Sequence, residues 1–297
     1  PHHRSSAASD VYKRQGNKDL IYGEKAEKSV VVRNYSNILS IERIPVPQHR
    51  WGFIPISIEL FLQIDNSKFL DTTNAAYIKK NASPLLRYGV EKSSNKSFIA
   101  CIADLYTYHN NVNVPTINGM IDIIIEKISL DKFMNLQSGN LVSLFQPKKV
   151  NISDIQVENY SDTDFYNSID LSDKSQYTLL KFTISSYENF KQYLKDEDSI
   201  IDHTFLWDIV SSPKIDLFKD GINLIIMEVE NNDRRDNVTL LCPTNTYSDY
   251  TFDYNKGSVL ILKQNEFYEP LYIYGNTKNE KSSSKSKAIK IFYRENI

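Results

Sequence analysis

Apolar positions recur with helical spacing through the first half of the chain. In SFIACIADLYTY (97–108), one helix face is formed at positions i, i+3, i+4 and i+7 by Phe98, Cys101, Ile102 and Leu105. Ser97 stands at the start of this helix, where an N-cap residue is common. The same spacing predicts helices in TINGMIDIIIEKIS after Pro115, in LDKFMNLQSGNLVSLF with a break near Ser138-Gly139, and in two stretches within 187–212.

The apolar period changes after residue 220. Short, almost wholly apolar runs between turn residues predict strands at 222–230, 238–244, 258–264, 267–275 and 288–294. Before the helices, Pro45, Pro47 and Pro55 exclude one continuous helix through 44–63 and predict an extended arm that ends in a short helix. Helices followed by strands predict an α+β fold, with a helical N-terminal half packed on a mostly antiparallel C-terminal sheet that forms a meander.

The ends of the chain differ in character from its middle. Within residues 1–15, SAASDVYKRQ resembles the translation of a sequencing-library adaptor, as found at the ends of environmental transcript assemblies, and a disordered tail is the alternative. We therefore expect a piece of a longer protein. An extended arm and short helix are predicted in 16–84, the main domain in 85–275, and a Lys/Ser-rich loop with a terminal strand in 276–297.

An acidic segment interrupts the main domain. Residues 151–176 carry six acidic side chains against the single Lys174. Their spacing does not fit an EF-hand loop, which needs a central Gly and a terminal Glu. We interpret this segment as a solvated insertion.

Composition limits the classes of function. The formal net charge of −2 over 297 residues argues against nucleic acid as the partner of this chain alone. No apolar run is long enough to predict a membrane span. Two cysteines, Cys101 and Cys242, make no disulfide framework and predict an intracellular rather than a secreted protein. With His109 and His203 they show no paired zinc-ligand spacing, so we expect no metal and no cofactor.

Over roughly residues 85–275, this order of elements resembles the OTU and papain-like cysteine protease fold. In that family the nucleophilic Cys begins the central helix, and the catalytic His lies in a late hairpin. The resemblance places the Cys position at Lys96-Ser97-Phe98, the helix before the central strand at LWDIV (206–210), and the hairpin at 258–274. Both decisive residues are absent, because Ser97 stands at the Cys position and Phe267-Tyr268 at the His position. A Phe side chain cannot transfer the proton that the mechanism needs.

The resemblance therefore implies a non-catalytic binding or scaffolding domain with a protein or peptide partner. The expected binding groove lies between the helix start and the hairpin and is formed by Asn95, Lys96, Ser97, Phe267, Tyr268 and Glu269. One alternative is an active deubiquitinase or peptidase that uses Cys101 with His203 or His109 as the base. We expect Cys101 to be inert packing and His203 to be exposed, and both expectations oppose this alternative.

A second resemblance concerns the source of the chain. RYGV…SFIACIADLY and INLIIMEVE…CPTN…YEPLYIY look like segments of large proteins of nucleocytoplasmic large DNA viruses. Some of these are similar to the poxvirus early transcription factor large subunit. This implies a domain of a larger giant-virus protein, located in the infected-cell cytoplasm or the virion. It also keeps open a third function, that of a nucleic-acid-associated transcription factor domain.

Aromatic residues precede the predicted hairpin at Tyr247, Tyr250, Phe252 and Tyr254. They alternate with polar residues, so one interpretation is a groove for a peptide. We favour the other interpretation, in which they pack a long loop onto the sheet.

Overall fold

The chain was analysed as a computed structural model, which describes residues 37–79, 81–110, 112–147, 155–230, 237–243, 248, 250, 252–275 and 288–294. In these ranges, six strands form one sheet in the order β1-β2-β6-β5-β3-β4. The strands are β1 (Trp51–Gly52), β2 (Leu85–Tyr88), β3 (Asn223–Val229), β4 (Thr239–Leu241), β5 (Ser258–Gln264) and β6 (Phe267–Ile273). The helices are α1 (Ile56–Phe61), α2 (Ser97–Asn110), α3 (Ile117–Lys127), α4 (Leu130–Asn135), α5 (Asn140–Leu144), α6 (Asp164–Ser168), α7 (Lys174–Lys195) and α8 (His203–Ser211).

Helix α2 is the central helix of this α+β fold. Every residue from Ser97 to Leu105 is buried, so the helix is covered on all sides rather than only on its predicted apolar face. It packs against β6 and α3. Helices α3, α4, α6, α7 and α8 begin at caps whose side chains accept amide hydrogen bonds, namely Thr116, Ser129, Thr163, Asp173 and Asp202.

The sheet differs from the predicted meander. Strands β3 and β5 pair in parallel, whereas the other pairs are antiparallel. Both are seven-residue strands with the same pattern of burial, and they lie side by side near the middle of the sheet. The long connection between them allows a crossover, which a parallel pair requires.

The N-terminal part of the chain also contributes strands, which the sequence did not predict. Strand β2 pairs with β6, and β1 pairs with β2. The sequence LLRY of β2 is short and carries an Arg, so it gives no strand signal of the usual kind. The hairpin β5–β6 therefore lies inside the sheet instead of at its edge.

The described part of the acidic segment exposes its carboxylates to solvent, as expected, but it is also helical and contributes to the core. From residue 155 onward the chain forms short helices, and Val157 is only 2% exposed within the apolar core. Asp131 accepts hydrogen bonds from the amides of Asp164 and Phe165, which ties α6 to α4. The described acidic side chains are exposed, whereas Phe165, Tyr166 and Ile169 are half-buried against the apolar core.

Several predictions fall on residues that the structure does not describe. They concern the adaptor-like segment 1–15, the first part of the arm (16–36), residues 151–154, Tyr247 and the Lys/Ser-rich loop up to residue 287. Of the predicted terminal strand, Ile289 pairs with Ile273 and Phe292 with Ser258 as isolated bridges. In the described ranges, no helix is both long and apolar enough to cross a bilayer.

Candidate functional site

The start of α2 and the start of β6 are joined by one side chain. Ser97 Oγ accepts a hydrogen bond from the amide of Tyr268 at 3.0 Å and donates one to the carbonyl of Glu266 at 3.3 Å. Ser97 is 4% exposed. The two positions that the protease resemblance singled out thus lie side by side, but the hydroxyl is engaged by main-chain groups of the hairpin.

Cys101 lies one turn further along α2 and has no exposed surface. Burial raises the pKa of its thiol well above the ordinary value, and the negative charges of Glu269 and Asp104 add to this effect. A thiol with a raised pKa forms little thiolate at neutral pH, and the thiolate is the nucleophilic form. Cys101 is therefore packing inside the core.

His203 is the first residue of α8, and the prediction that it is exposed is wrong. It is 5% exposed, and its ring lies against those of Phe98 and Trp207. Asp202 caps this helix start by accepting a hydrogen bond from the Thr204 amide. His203 Nδ1 lies 2.9 Å from the hydroxyl of Tyr268.

The other ring nitrogen of His203, Nε2, is buried and has no hydrogen-bond partner among the described residues. Burial lowers the pKa of His203, because the imidazolium would lose its hydration. The carboxylates of Asp202 and Glu228 act in the opposite direction, whereas Lys263 adds to the lowering. The imidazole is neutral at pH 7, and it faces Tyr268 instead of Ser97 or Cys101.

Glu269 was predicted to line an open groove, but it is 2% exposed and forms an ion pair with the buried Arg87. The Arg87 Nη1 to Glu269 Oε2 distance is 2.9 Å. Burial raises the pKa of Glu269, and the positive charge of Arg87 opposes this rise. Glu269 Oε1 also accepts a hydrogen bond from the Val46 amide at 2.6 Å.

Sequence reasoning missed Arg87, whose guanidinium organises the N-terminal arm. It donates to the carbonyl of Phe53 at 2.6 Å and to those of three further arm residues, Ser40, Ile41 and Arg43, at 3.0–3.3 Å. The signal in the sequence was a charged residue between apolar neighbours in LLRYGV. Lys and Arg are rarely buried unless they are paired, so this position had to have a partner.

Asn95 and Lys96 lie on the other side of the helix start. Asn95 Nδ2 donates to the carbonyl of Glu197 at 2.6 Å, and the carbonyl of Asn95 accepts the Ile201 amide at 2.8 Å. Lys96 is 4% exposed. Asn95 therefore supports the loop between α7 and α8, and neither residue lines the pocket beside the helix start.

A small pocket remains at the junction of α2, β6 and the arm. Its cavity volume is about 10 Å³, room for about one water molecule, and it is lined by Pro45, Val46, Val90, Glu91, Lys92, Ser93, Ser97, Phe267, Tyr268 and Glu269. Phe267 is half-buried there. Of the six groove residues expected from the sequence, four thus share one pocket, and arm residues close it.

Another polar cluster was not foreseen. The Tyr272 hydroxyl donates to Asp104 Oδ2 at 2.6 Å, and Lys290 Nζ lies 2.5 Å from the same oxygen. The Lys290 ammonium also lies over the rings of Tyr88 and Tyr272, 5.4 and 5.0 Å from their centroids. This cluster fastens the segment 288–294 to α2.

The aromatic loop before β5 divides into packed and exposed members. The Tyr250 carbonyl accepts the Trp207 indole N–H at 2.7 Å, and its hydroxyl accepts from Ser212 Oγ at 2.9 Å. Phe252 and Tyr254 are 63% and 66% exposed. Of the described aromatic residues, Tyr250 therefore packs the loop, while the other two face solvent.

Comparison with protein-family models, with curated proteins and with solved structures gave no match for this chain. Arguments about function therefore rest on the geometry of the residues themselves.

Proposed function

We propose that this chain is a non-catalytic binding or scaffolding domain with an OTU/papain-like layout. The observation that carries this proposal is the state of Ser97, whose hydroxyl is engaged by the hairpin main chain at the position where that layout has its nucleophile. The buried Cys101 and the engagement of His203 with Tyr268 support it further. A hydrolase needs a nucleophile and a base in hydrogen-bond contact, and these side chains make other contacts.

The remaining feature of the layout is the space beside the helix start. Phe267 and Val90 give the pocket an apolar lining, while Ser93 and Lys92 stand at its wall. Recognition sites combine an apolar lining with a few polar groups, and here the arm residues leave only about 10 Å³ of that space open. The partner that we propose is a protein or peptide. We also propose that the domain belongs to a larger giant-virus protein, as the sequence resemblance implies.

The first experiment separates binding from hydrolysis. The purified chain is treated with a thiol-reactive ubiquitin probe and with peptide and ubiquitin-chain substrates, together with Ser97→Cys and Cys101→Ser variants. We expect neither adducts nor turnover in the wild-type chain. We also expect none in Ser97→Cys, because a thiol at this position would still lack a base. Turnover that disappears in Cys101→Ser would establish the hydrolase alternative instead.

The second experiment tests binding at this pocket. Peptides selected from a displayed random library against the chain are titrated into Phe267→Glu, which places a charge in the pocket. The matched control is Phe252→Glu, at an exposed position. We expect at least a tenfold weaker affinity for Phe267→Glu and an unchanged affinity for the control. Equal affinities for both variants would show that the peptides bind at a surface other than this pocket.

A further inference from the structure

The N-terminal arm crosses the pocket and closes it. We call residues 38–50 the strap. Its Val46 is 2% exposed, and the Val46 amide donates to Glu269 next to the residue that contacts Ser97. Pro45 and Val46 form one wall of the pocket. The strap therefore occupies the space where a bound peptide would contact the helix start and β6.

The contacts of the strap are those of a peptide ligand, because they use its main chain. Three of its carbonyls accept hydrogen bonds from Arg87. The amides of His49 and Gly89 donate to the carbonyls of Gly89 and Arg50, each at 2.8 Å. Main-chain contacts of this kind bind an extended segment without specifying most of its side chains.

Gly89 shows how closely the strap lies on this surface. A Cβ atom at Gly89 would stand 2.0 Å from the carbonyl oxygen of Pro47 and 2.7 Å from that of Val46. Both neighbours are main-chain atoms, so no side-chain movement could relieve the contact. The main chain of the strap can therefore lie this close to the surface only because residue 89 has no side chain.

The strap is bound by polar groups more than by the apolar core. Its buried apolar side chains, Ile38 and Val46, belong to neither of the two apolar clusters found among the described residues. Loss of the strap would leave those clusters assembled. Segments with few apolar contacts are the ones that open locally while the rest of the fold persists.

We propose that the strap is an intramolecular ligand, and that its surface on Arg87, Gly89 and Glu269 binds an extended, proline-containing peptide similar to the strap itself when the strap is displaced. This deepens the proposed function, since it names the ligand class of the same pocket. A tethered segment competes at an effective concentration on the order of millimolar. A peptide added to the wild-type chain therefore meets an occupied site.

The test displaces the strap without changing the surface under it. Val46→Asp puts a carboxylate into a buried position beside Glu269, whereas the matched control Gln48→Asp adds the same charge at an exposed strap position. Limited trypsin digestion is followed by mass spectrometry at Arg43 and Arg50, within the strap. We expect cleavage at least tenfold faster in Val46→Asp than in wild type, and an unchanged rate in Gln48→Asp.

Binding is then measured by fluorescence anisotropy with a labelled synthetic peptide of residues 38–50. We expect it to bind Val46→Asp at least tenfold more tightly than wild type or Gln48→Asp. The same peptide carrying Asp in place of Val46 is expected not to bind. Gly89→Ala is expected to release the strap and also to prevent binding of the peptide. The Cβ added by this substitution would collide with the main chain of either one.

Native-state hydrogen exchange of the wild-type chain gives a test that needs no variant. We expect the amides of Val46 and His49 to exchange at least tenfold faster than those of β5. Exchange of both groups at the same rate would make the strap an integral part of the fold and overturn the proposal.

Release of the strap without peptide binding would overturn this inference, yet leave the proposed function standing. Hydrolytic turnover would refute the proposed function and leave the strap result intact.

Discussion

At the residue scale, the side chain with the most unusual environment is His203. It is neutral, buried and bonded through one nitrogen to the Tyr268 hydroxyl, while Nε2 is unpaired among the described groups. Protonation would place a charge next to Phe98 and Trp207, where burial costs it more than the carboxylates of Asp202 and Glu228 restore. This residue therefore links the stability of the fold to pH.

The sign of that link follows from the lowered pKa of His203. The unfolded chain binds a proton near pH 6.5, and the folded chain does so only at lower pH. His203 therefore contributes stability that is present above pH 6.5 and is lost as the pH falls toward the folded-state pKa. We expect urea unfolding to show a smaller loss of stability from pH 7.5 to 5.5 in His203→Gln than in wild type. His49→Gln, at an exposed position, should behave as wild type, and equal losses in all three proteins would contradict this assignment.

The two cysteines should differ in reactivity. Cys101 is buried and Cys242 is exposed. We expect iodoacetamide to modify Cys242 within minutes and Cys101 only after denaturation, as measured by intact-mass spectrometry. A Cys242→Ser variant provides the control, and rapid labelling of that variant under native conditions would show that Cys101 is accessible.

Sequence reasoning was accurate for some single residues and wrong for others. The apolar spacing around Cys101 indicated its burial, because spacing determines which face of a helix is covered. The exposure of His203 could not be deduced, since it depends on a tertiary contact with Tyr268, 65 residues later. Arg87 was overlooked for the same reason, because its partner Glu269 is 182 residues away.

At the scale of the elements, the Arg87–Glu269 pair joins β2 to β6 and is the most deeply buried ion pair among the described residues. Removal of one partner leaves the other charge buried, which typically costs about 3–5 kcal/mol. We expect Glu269→Ala to lower the free energy of unfolding by that amount in urea titrations. The control is Asp122→Ala, from the exposed Lys195–Asp122 pair at 3.2 Å, with an expected cost under about 1 kcal/mol. A similar loss of unfolding free energy in the two variants would show that the buried pair contributes no more to stability than the exposed one.

The elements themselves were predicted unevenly. Strands β5 and β6 and the start of α2 agree closely with the sequence prediction, because strongly apolar runs there end at clear turn or cap residues. Helix α7 begins at Lys174, well before the predicted start, since the acidic residues preceding it suggested solvated chain. The pairing of β3 with β5 was missed because hydrophobic periodicity carries no information on strand order.

At the scale of the whole molecule, the Asp104 cluster connects the segment 288–294 to the central helix. Lys290→Met would leave Asp104 with Tyr272 and without its cation. We expect the amides of Ile289 and Phe292, which donate to Ile273 and Ser258, to exchange with solvent at least tenfold faster. Lys132→Met, whose ammonium donates to the Lys127 carbonyl, is the control. Unchanged exchange at both amides would mean that strand bridging alone holds the segment.

The α+β class of the whole molecule was predictable, because it depends on local periods summed along the chain. Its topology was not, since the sheet is completed by contacts between distant parts of the sequence. The groove residues split for the same reason. Ser97 and the start of β6 meet through the fold, whereas Asn95 bonds a loop that the sequence did not connect with it.

The pairing of β2 with β6 has a consequence for synthesis on the ribosome. Strand β2 is made early, yet its Arg87 meets Glu269 only after 182 further residues have been added. At translation rates of about 5–20 residues per second, this delay is roughly 9–36 s. During that time a nascent β2 has only the two-residue β1 to pair with and lacks both β6 and its counter-ion. The N-terminal third of the protein is therefore expected to depend on chaperones until the last hairpin leaves the exit tunnel.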